Sequence, residues 1–244
     1  MRAHSSAERR DLPAPRPRRI AVVPAFNEEP TVATVLGGLY DLVDELVVVD
    51  DGSTDRTAEE IDRWLPGHDR ARKLGFTRNR GMSAAYYLAF DDLRARLANG
   101  ELEAHDLVYT IDADGQHDLA VLDALERLAI DTGLDALLAR RDLSRYPPHK
   151  KLGNWVMSAW ASVWAGKRLL DVESGYRIFR LGALADALDY YRGYKYSETI
   201  EVAVVLCRLG YDVRNDVVVP VPVYRSRTRL FDAAVDLVMA PVAA

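Results

Sequence analysis

Three short apolar runs constrain the fold of this chain more than any other feature: "IAVVPA" (20–25), "ELVVVDD" (45–51) and "DLVYTID" (106–112). Each is strand-sized, and its unbroken apolar character suits a strand covered on both faces. Between the runs the apolar spacing becomes helical. "PTVATVLGGLYDLV" places Val32, Val35, Leu36, Leu39 and Val43 on one face, with Pro30 in its first turn. "STDRTAEEIDRWL" is a second helix, with Ser, Thr and Asp available to cap it, and Pro66 and Gly67 end it. "GMSAAYYLAFDDLRARL" and "LAVLDALERLA" are further helices, and "DALLAR" is a further strand. This order predicts an α/β fold, a single doubly wound domain whose mainly parallel central sheet has helices on both faces. Farther on, "GNWVMSAWASVW" and "SETIEVAVVLCRLG" have helical spacing, the second stopped by Gly210, while "ESGYRIFR" and "DVRNDVVVPVPVY" are expected to be extended.

The 244 residues carry 49% hydrophobic and 28% charged residues, enough for a core that needs no disulfide or metal staple. The single Cys207 lies in an apolar run and is expected to be a buried, inert thiol, consistent with a reducing compartment. Residues 1–19 hold six Arg against Glu8 and Asp11, a local +4, which leaves −9 for the rest of a chain whose net charge is −5. A body that acidic is a poor nucleic-acid binder. The Pro- and Arg-rich arm has no apolar centre, so it is no signal peptide and is expected to be disordered over 1–19. No run of about 18 apolar residues is available to cross a bilayer. The folded body is expected over 20–224, in two halves (20–116 and 117–224), with a basic and apolar tail over 225–244.

Ligands of an open parallel sheet bind beyond the carboxyl ends of its strands. Here three strands end in polar clusters, "PAFNEE", "DDGSTD" and "DADGQHD", and all three should open onto one edge. Asp112 and Asp114, at i and i+2, project to the same side of an extended segment and repel unless a cation lies between them. Hard oxygen ligands suit Mg²⁺ or Mn²⁺ sharing its shell with a substrate phosphate. A bare D-x-D is more often a solvated turn, and Gly115 falls at the wrong position for an EF-hand loop. Taken singly, the other two clusters also have ordinary readings as turns and helix caps.

The ordered set "VVPAFNEEPTVATVL", "LVVVDDGSTDRTAE", "NRGMSAA", "DADGQHD", "SGYRIFR" and "RLGY" resembles the family 2 glycosyltransferases, nearest the polyprenyl-phosphate (dolichyl-phosphate mannose synthase-like) branch. The resemblance spans about Ile20 to Tyr224. It implies an A-type nucleotide-diphosphate-sugar fold. Pro24, Ala25, Asn27 and Glu28 would border the nucleoside, and Asp51 would bond the base. Asp112 and Asp114 would hold Mg²⁺ or Mn²⁺ on the diphosphate, with Gln116 nearby. Gly81 would let backbone approach the donor. Met82 and Ser83 stand where the family often has Lys and Gly, and Arg78 and Arg80 could supply the missing charge.

The reaction so implied is inverting transfer from a nucleotide sugar to a polyprenyl phosphate on the cytoplasmic membrane face, or to a soluble hydroxyl. A hydroxyl acceptor needs a base. Glu201 and Asp171 are the candidates, with Glu198 and Glu201 one turn apart. An anionic phosphate needs only cations, for which Arg177, Arg225 and Arg227 are expected, with "RYPPHKK" and Arg229 as further basic positions. His117 beside the D-x-D is either a diphosphate or metal contact or a loop histidine. The Trp-rich run holding Trp155, Trp160 and Trp164 is a membrane-interface helix or, the commoner case, an ordinary core helix. Rival classes fare worse. A sugar-1-phosphate nucleotidyltransferase would show a Gly-rich, Arg-containing loop after the first strand, and a dinucleotide-dependent oxidoreductase needs G-x-G-x-x-G; neither is present. A non-catalytic sugar-nucleotide binder is the remaining alternative; it would keep the fold and lose the carboxylates, so Asp112 and Asp114 argue against it.

Overall fold

The structure, a computed structural model, describes residues 16–191 and 198–221. The three apolar runs form β1 (Arg19–Ala25), β2 (Glu45–Asp51) and β4 (Leu107–Thr110), and they lie side by side and parallel. Outside β2 stands β3 (Ala71–Phe76), also parallel. On the other side come β7 (Arg177–Arg180), β5 (Ala136–Leu138) and β8 (Val213–Arg214), giving a seven-stranded sheet in the order β3-β2-β1-β4-β7-β5-β8. β7 runs antiparallel to both of its neighbours, so the sheet is mixed rather than wholly parallel. β6 (Arg140–Arg141) pairs with β9 (Val218–Val219) in a separate two-stranded ribbon. Because β7 sits between β4 and β5, the two expected halves share one sheet and one core.

Alternation along the strands divides that core. Ile20, Val22, Val47, Val49, Val108 and Phe179 face one side. There they meet α3 (Met82–Ala98), α5 (Pro148–Ala165), α6 (Leu181–Leu188) and α7 (Glu198–Arg208). Ala21, Val23, Val48, Tyr109, Leu137 and Ile178 face the other side, against α1 (Val32–Tyr40), α2 (Thr57–Trp64) and α4 (Leu122–Asp131). Each fully buried Val or Leu in these layers contributes about 1.5–3 kcal/mol of transfer free energy.

Several expectations change. The basic arm does not extend to residue 19. Arg16 pairs with Asp44, the Arg18 backbone N–H bonds Asp106, and the Arg19 guanidinium reaches Glu126 as the chain enters β1. β3 has no continuous apolar run, because it is an edge strand whose Arg72 bridges Glu45 and Asp92 and whose Lys73 pairs with Asp62. Cys207 is half-buried rather than buried, and burial raises its thiol pKa. The Trp-rich helix α5 is not an ordinary core helix, since Trp155, Trp160 and Trp164 all face outward. No helix among the described residues is long and apolar enough to cross a membrane.

Candidate active site

The carboxyl ends of β2, β1 and β4 meet in one line. Ala25 pairs with Asp50 across β1 and β2, and Thr110 pairs with Val22 across β4 and β1, so Asp112 lies two residues beyond, abreast of the end of β1. The first two loops are laced together. Asn27, held at φ 55°, accepts the Thr54 N–H on Oδ1 at 2.8 Å and donates its own N–H to Ser53 Oγ at 3.1 Å. The Glu28 N–H donates to Thr57 Oγ1 at 2.8 Å. These bonds leave Pro24 half-buried and Ala25 and Glu28 buried along the mouth of the site.

Asp51, expected to bond a base, has a different first task. Its two oxygens accept the backbone N–H groups of Arg80 and Gly81, each at 2.8 Å. Burial pushes its pKa up, against the pull of those two donors. The carboxylate therefore fixes the loop that leads into α3. Gly52 lets that loop come close: at φ +64° a Cβ would lie 2.5 Å from Arg78 Cα and 2.6 Å from its N.

Asp112 is set by three neighbours, of which the sequence had marked only His117 as lying beside it. The Tyr86 hydroxyl on α3 donates to its Oδ1 at 3.2 Å. Gly175 presses so close that a Cβ there would lie 2.9 Å from Asp112 Cγ and Oδ1, and nearer still to Oδ2. Thr110 locks this approach by donating its hydroxyl to the Gly175 carbonyl at 2.6 Å. The third neighbour, His117, stacks on Tyr176 at 4.9 Å and accepts the Asp112 backbone N–H on Nδ1 at 3.2 Å. An accepting Nδ1 leaves the proton on Nε2, 3.6 Å from Asp112 Oδ2. Burial lowers the His117 pKa, favouring the neutral ring.

Asp114 stands in the turn beyond. Gln116, expected beside a metal, bonds Asp114: its backbone N–H donates to Asp114 Oδ1 at 2.9 Å and its side-chain amide to Oδ2. No group of three or more His, Cys, Asp or Glu among the described residues forms a ready-made metal cage. Two carboxylates at an open sheet edge do fit a hard divalent ion that takes the rest of its shell from a diphosphate and water, as Mg²⁺ commonly does.

Asp171, expected as a catalytic carboxylate, is fully buried and already committed. It accepts the Arg141 backbone N–H, Nε and Nη2, each at 2.9 Å, while Arg141 Nη2 also reaches Glu173 and Asn154. Burial opposes the guanidinium charge, yet Asp171 more than offsets it and raises the Arg141 pKa. An aspartate so engaged cannot double as a free base, and the compensated guanidinium is no open phosphate grip. Together they form a bracket that holds the 171–175 segment, and hence Gly175, against Asp112.

Arg177, expected at an acceptor phosphate, is only 2% exposed and donates from Nε to the Ser174 carbonyl at 2.7 Å, so it sits beneath the same turn. Glu201 is buried on α7. Arg225 and Arg227 lie outside the described residues. Tyr86, Arg141 and Gly175 escaped the sequence reading because nothing local marks them, although "SGYR" did flag the segment that carries Gly175.

The chain resembles known proteins over most of its length. It is 29% identical over 200 residues to an undecaprenyl-phosphate mannosyltransferase of Micrococcus luteus, covering 79% of each protein. It is 25% identical over 213 residues to a UDP-N-acetylglucosamine–dolichyl-phosphate N-acetylglucosaminyltransferase of Methanococcus voltae, covering 77% of this chain and 78% of that one. Its fold matches glucosyl-3-phosphoglycerate synthase from Mycobacterium tuberculosis, solved with Mn²⁺, UDP and glucosyl-3-phosphoglycerate. That match has a TM-score of 0.66 at 19% identity and covers 93% of this chain and 78% of that one. Residues 20–184 match the family described as Glycosyl transferase family 2, and the chain belongs to that family.

Proposed function

We propose that this chain moves a sugar from a nucleoside diphosphate to a polyprenyl phosphate, with inversion, at a membrane face. The observation that carries the reading is the meeting of the β1, β2 and β4 ends, which sets Asp112 abreast of the laced Asn27 and Ser53 loops. The names of the curated relatives support the acceptor class.

In this reading Pro24, Ala25, Asn27 and Glu28 wall the nucleoside side. Asp51 acts through Gly81, holding backbone where the donor passes. Asp112 and Asp114 hold Mg²⁺ or Mn²⁺, which when bound offsets the charge gathering on the departing diphosphate. An acceptor phosphate oxygen attacks the anomeric carbon from the face opposite the diphosphate, one bond forming as the other breaks, so the configuration inverts. The attacking oxygen is already anionic, and no proton need be removed. Glu201 therefore orients the acceptor side rather than serving as a base, and Arg225 and Arg227 supply charge for the acceptor phosphate.

The test is transfer by the full chain from radiolabelled UDP-, GDP- and dTDP-sugars to a short polyprenyl phosphate in detergent, with Mg²⁺, Mn²⁺ or EDTA. One donor should give a lipid-linked product that EDTA abolishes and either ion restores. Replacing both Arg225 and Arg227 by Ala should slow lipid transfer more than donor hydrolysis. Sugar transfer to soluble hydroxyls, with none to the lipid phosphate, would overturn the acceptor assignment.

A further inference from the structure

Helix α5 is apolar on two faces: Met157, Ala161 and Ala165 are buried in the core, and a second apolar stripe faces outward. Its inward stripe contains Asn154, Ser158 and Ser162, whose side chains bond the backbone of 169–172: Asn154 Nδ2 donates to the Leu170 carbonyl at 3.5 Å, Ser158 Oγ accepts the Val172 N–H at 3.3 Å, and Ser162 Oγ accepts the Leu169 N–H at 2.8 Å. The outward stripe runs Leu152, Trp155, Val156, Trp160, Val163 and Trp164 at i, i+3, i+4 spacing, with Leu152 61%, Trp155 64% and Val163 75% exposed. Six of the twelve large hydrophobic residues exposed among the described ones therefore sit on this one helix, a concentration beyond ordinary surface scatter.

Positive charge predominates along the stretch that carries the stripe, although Lys167 also lies 3.6 Å from Asp212. From Arg145 to Arg168 the chain has Arg145, Lys150, Lys151, Lys167 and Arg168 and no Asp or Glu, a local +5 in a protein of net −5. We propose that the outward face of α5 lies in the headgroup region of an anionic phospholipid bilayer, its tryptophans at the acyl boundary and the flanking Lys and Arg on lipid phosphates. Charge decides between occupants. Two copies packed through this face would set +5 against +5, and the chain beyond residue 221 opens with Arg225, Arg227 and Arg229. A bilayer surface rich in phosphate is negative where this stretch is positive.

The placement has a consequence for the site. Arg141 bonds Asn154 on the inner side of α5 and Asp171 in the segment that ends at Gly175, so the bilayer-facing helix and the edge that carries Asp112 share one bracket. This fits the lipid-acceptor reading but stands on the helix alone, and it is tested without any acceptor.

Full-length protein is floated with vesicles of phosphatidylcholine alone and with about 30% phosphatidylglycerol, free of polyprenyl phosphate, at low and high salt. Wild type should float with the anionic vesicles, shift its tryptophan emission to the blue and lose binding as salt rises. The triple variant L152E/W155E/V163E, at the three most exposed positions, should bind at least about tenfold more weakly. Its melting temperature and nucleotide-sugar affinity should be unchanged. Wild type that stays with the soluble fraction, a variant that floats as well as wild type, or a wild-type dimer that the substitutions disperse without any vesicle binding would each overturn the proposal. Flotation together with transfer only to soluble hydroxyls would leave this proposal standing and remove the lipid-acceptor reading.

Discussion

The replacement Gly175→Ala asks whether Asp112 owes its position to the missing side chain opposite it. A Cβ at 175 would lie 2.9 Å from both Asp112 Cγ and Oδ1, and nearer to Oδ2. Ordinary C···O contacts begin at about 3.3 Å, so the carboxylate would have to retreat by roughly 1 Å. Backbone retreat at 175 is resisted, because the Thr110 hydroxyl ties the Gly175 carbonyl at 2.6 Å and the Arg141 bracket holds the segment behind it. Asp112 is the softer partner, since its other side-chain tethers are a 3.2 Å bond from Tyr86 and the His117 Nε2 at 3.6 Å. A misplacement of about 1 Å at a reacting centre costs about 10²-fold in rate, whereas one extra methyl in packed structure costs about 1–3 kcal/mol of stability. The expected outcome is a variant that folds, melts a few degrees lower and turns over about a hundredfold more slowly, with more ion needed for half-maximal rate. Initial rates against Mn²⁺ concentration, beside a thermal melt, measure both. Turnover within about threefold of wild type at unchanged ion demand would show that Asp112 does not need the space that Gly175 leaves.

Replacing Asp112 and Asp114 together by Asn should remove the ion-dependent part of nucleoside-diphosphate binding, read by calorimetry with and without Mn²⁺; unchanged ion-dependent affinity would move the ion elsewhere. Asp171→Ala leaves the half-buried Arg141 guanidinium without its main partner, and urea unfolding should show a loss of about 1.5–3 kcal/mol; a loss under about 1 kcal/mol would mean the bracket is slack. The Asp44 carboxyl gives a pH signature. Burial works to raise its pKa, but Arg16 and the Arg19 N–H outweigh burial and hold it below the usual value. A carboxyl lowered in the folded state adds stability above its unfolded pKa of about 3.9, and that stability is lost as pH falls through the folded value. Asp44→Asn should therefore flatten the stability profile on the acid side, measured by urea titration from about pH 6 to 3.

Much of the fold was legible in the chain because its signals are local. β1, β2 and β4 are continuous apolar runs, and α1, α2 and α4 carry a clear helical period. β3 and α6 were not legible. In "ARKLGF" the charges of an edge strand dilute the pattern, and "LGALADAL" is short and framed by a strand with no break before it. The direction of β7 was equally hidden, because strand periodicity is the same whichever way the chain runs.

The site divides along the same line. The sequence by itself determined which strands carry polar ends and that Asp112 and Asp114 stand together at one of them, since spacing of two on an extended chain is a local property. Only the tertiary structure decided what each group is free to do. Asp171 and Arg141 are 30 residues apart and neutralise one another. Gly175 governs Asp112 from 63 positions away through empty space rather than a bond. The tryptophans of α5 face outward because its serines and asparagine are claimed by a loop that folds beneath them. Burial and charge pairing depend on which distant segments meet, and a one-dimensional pattern does not contain those meetings.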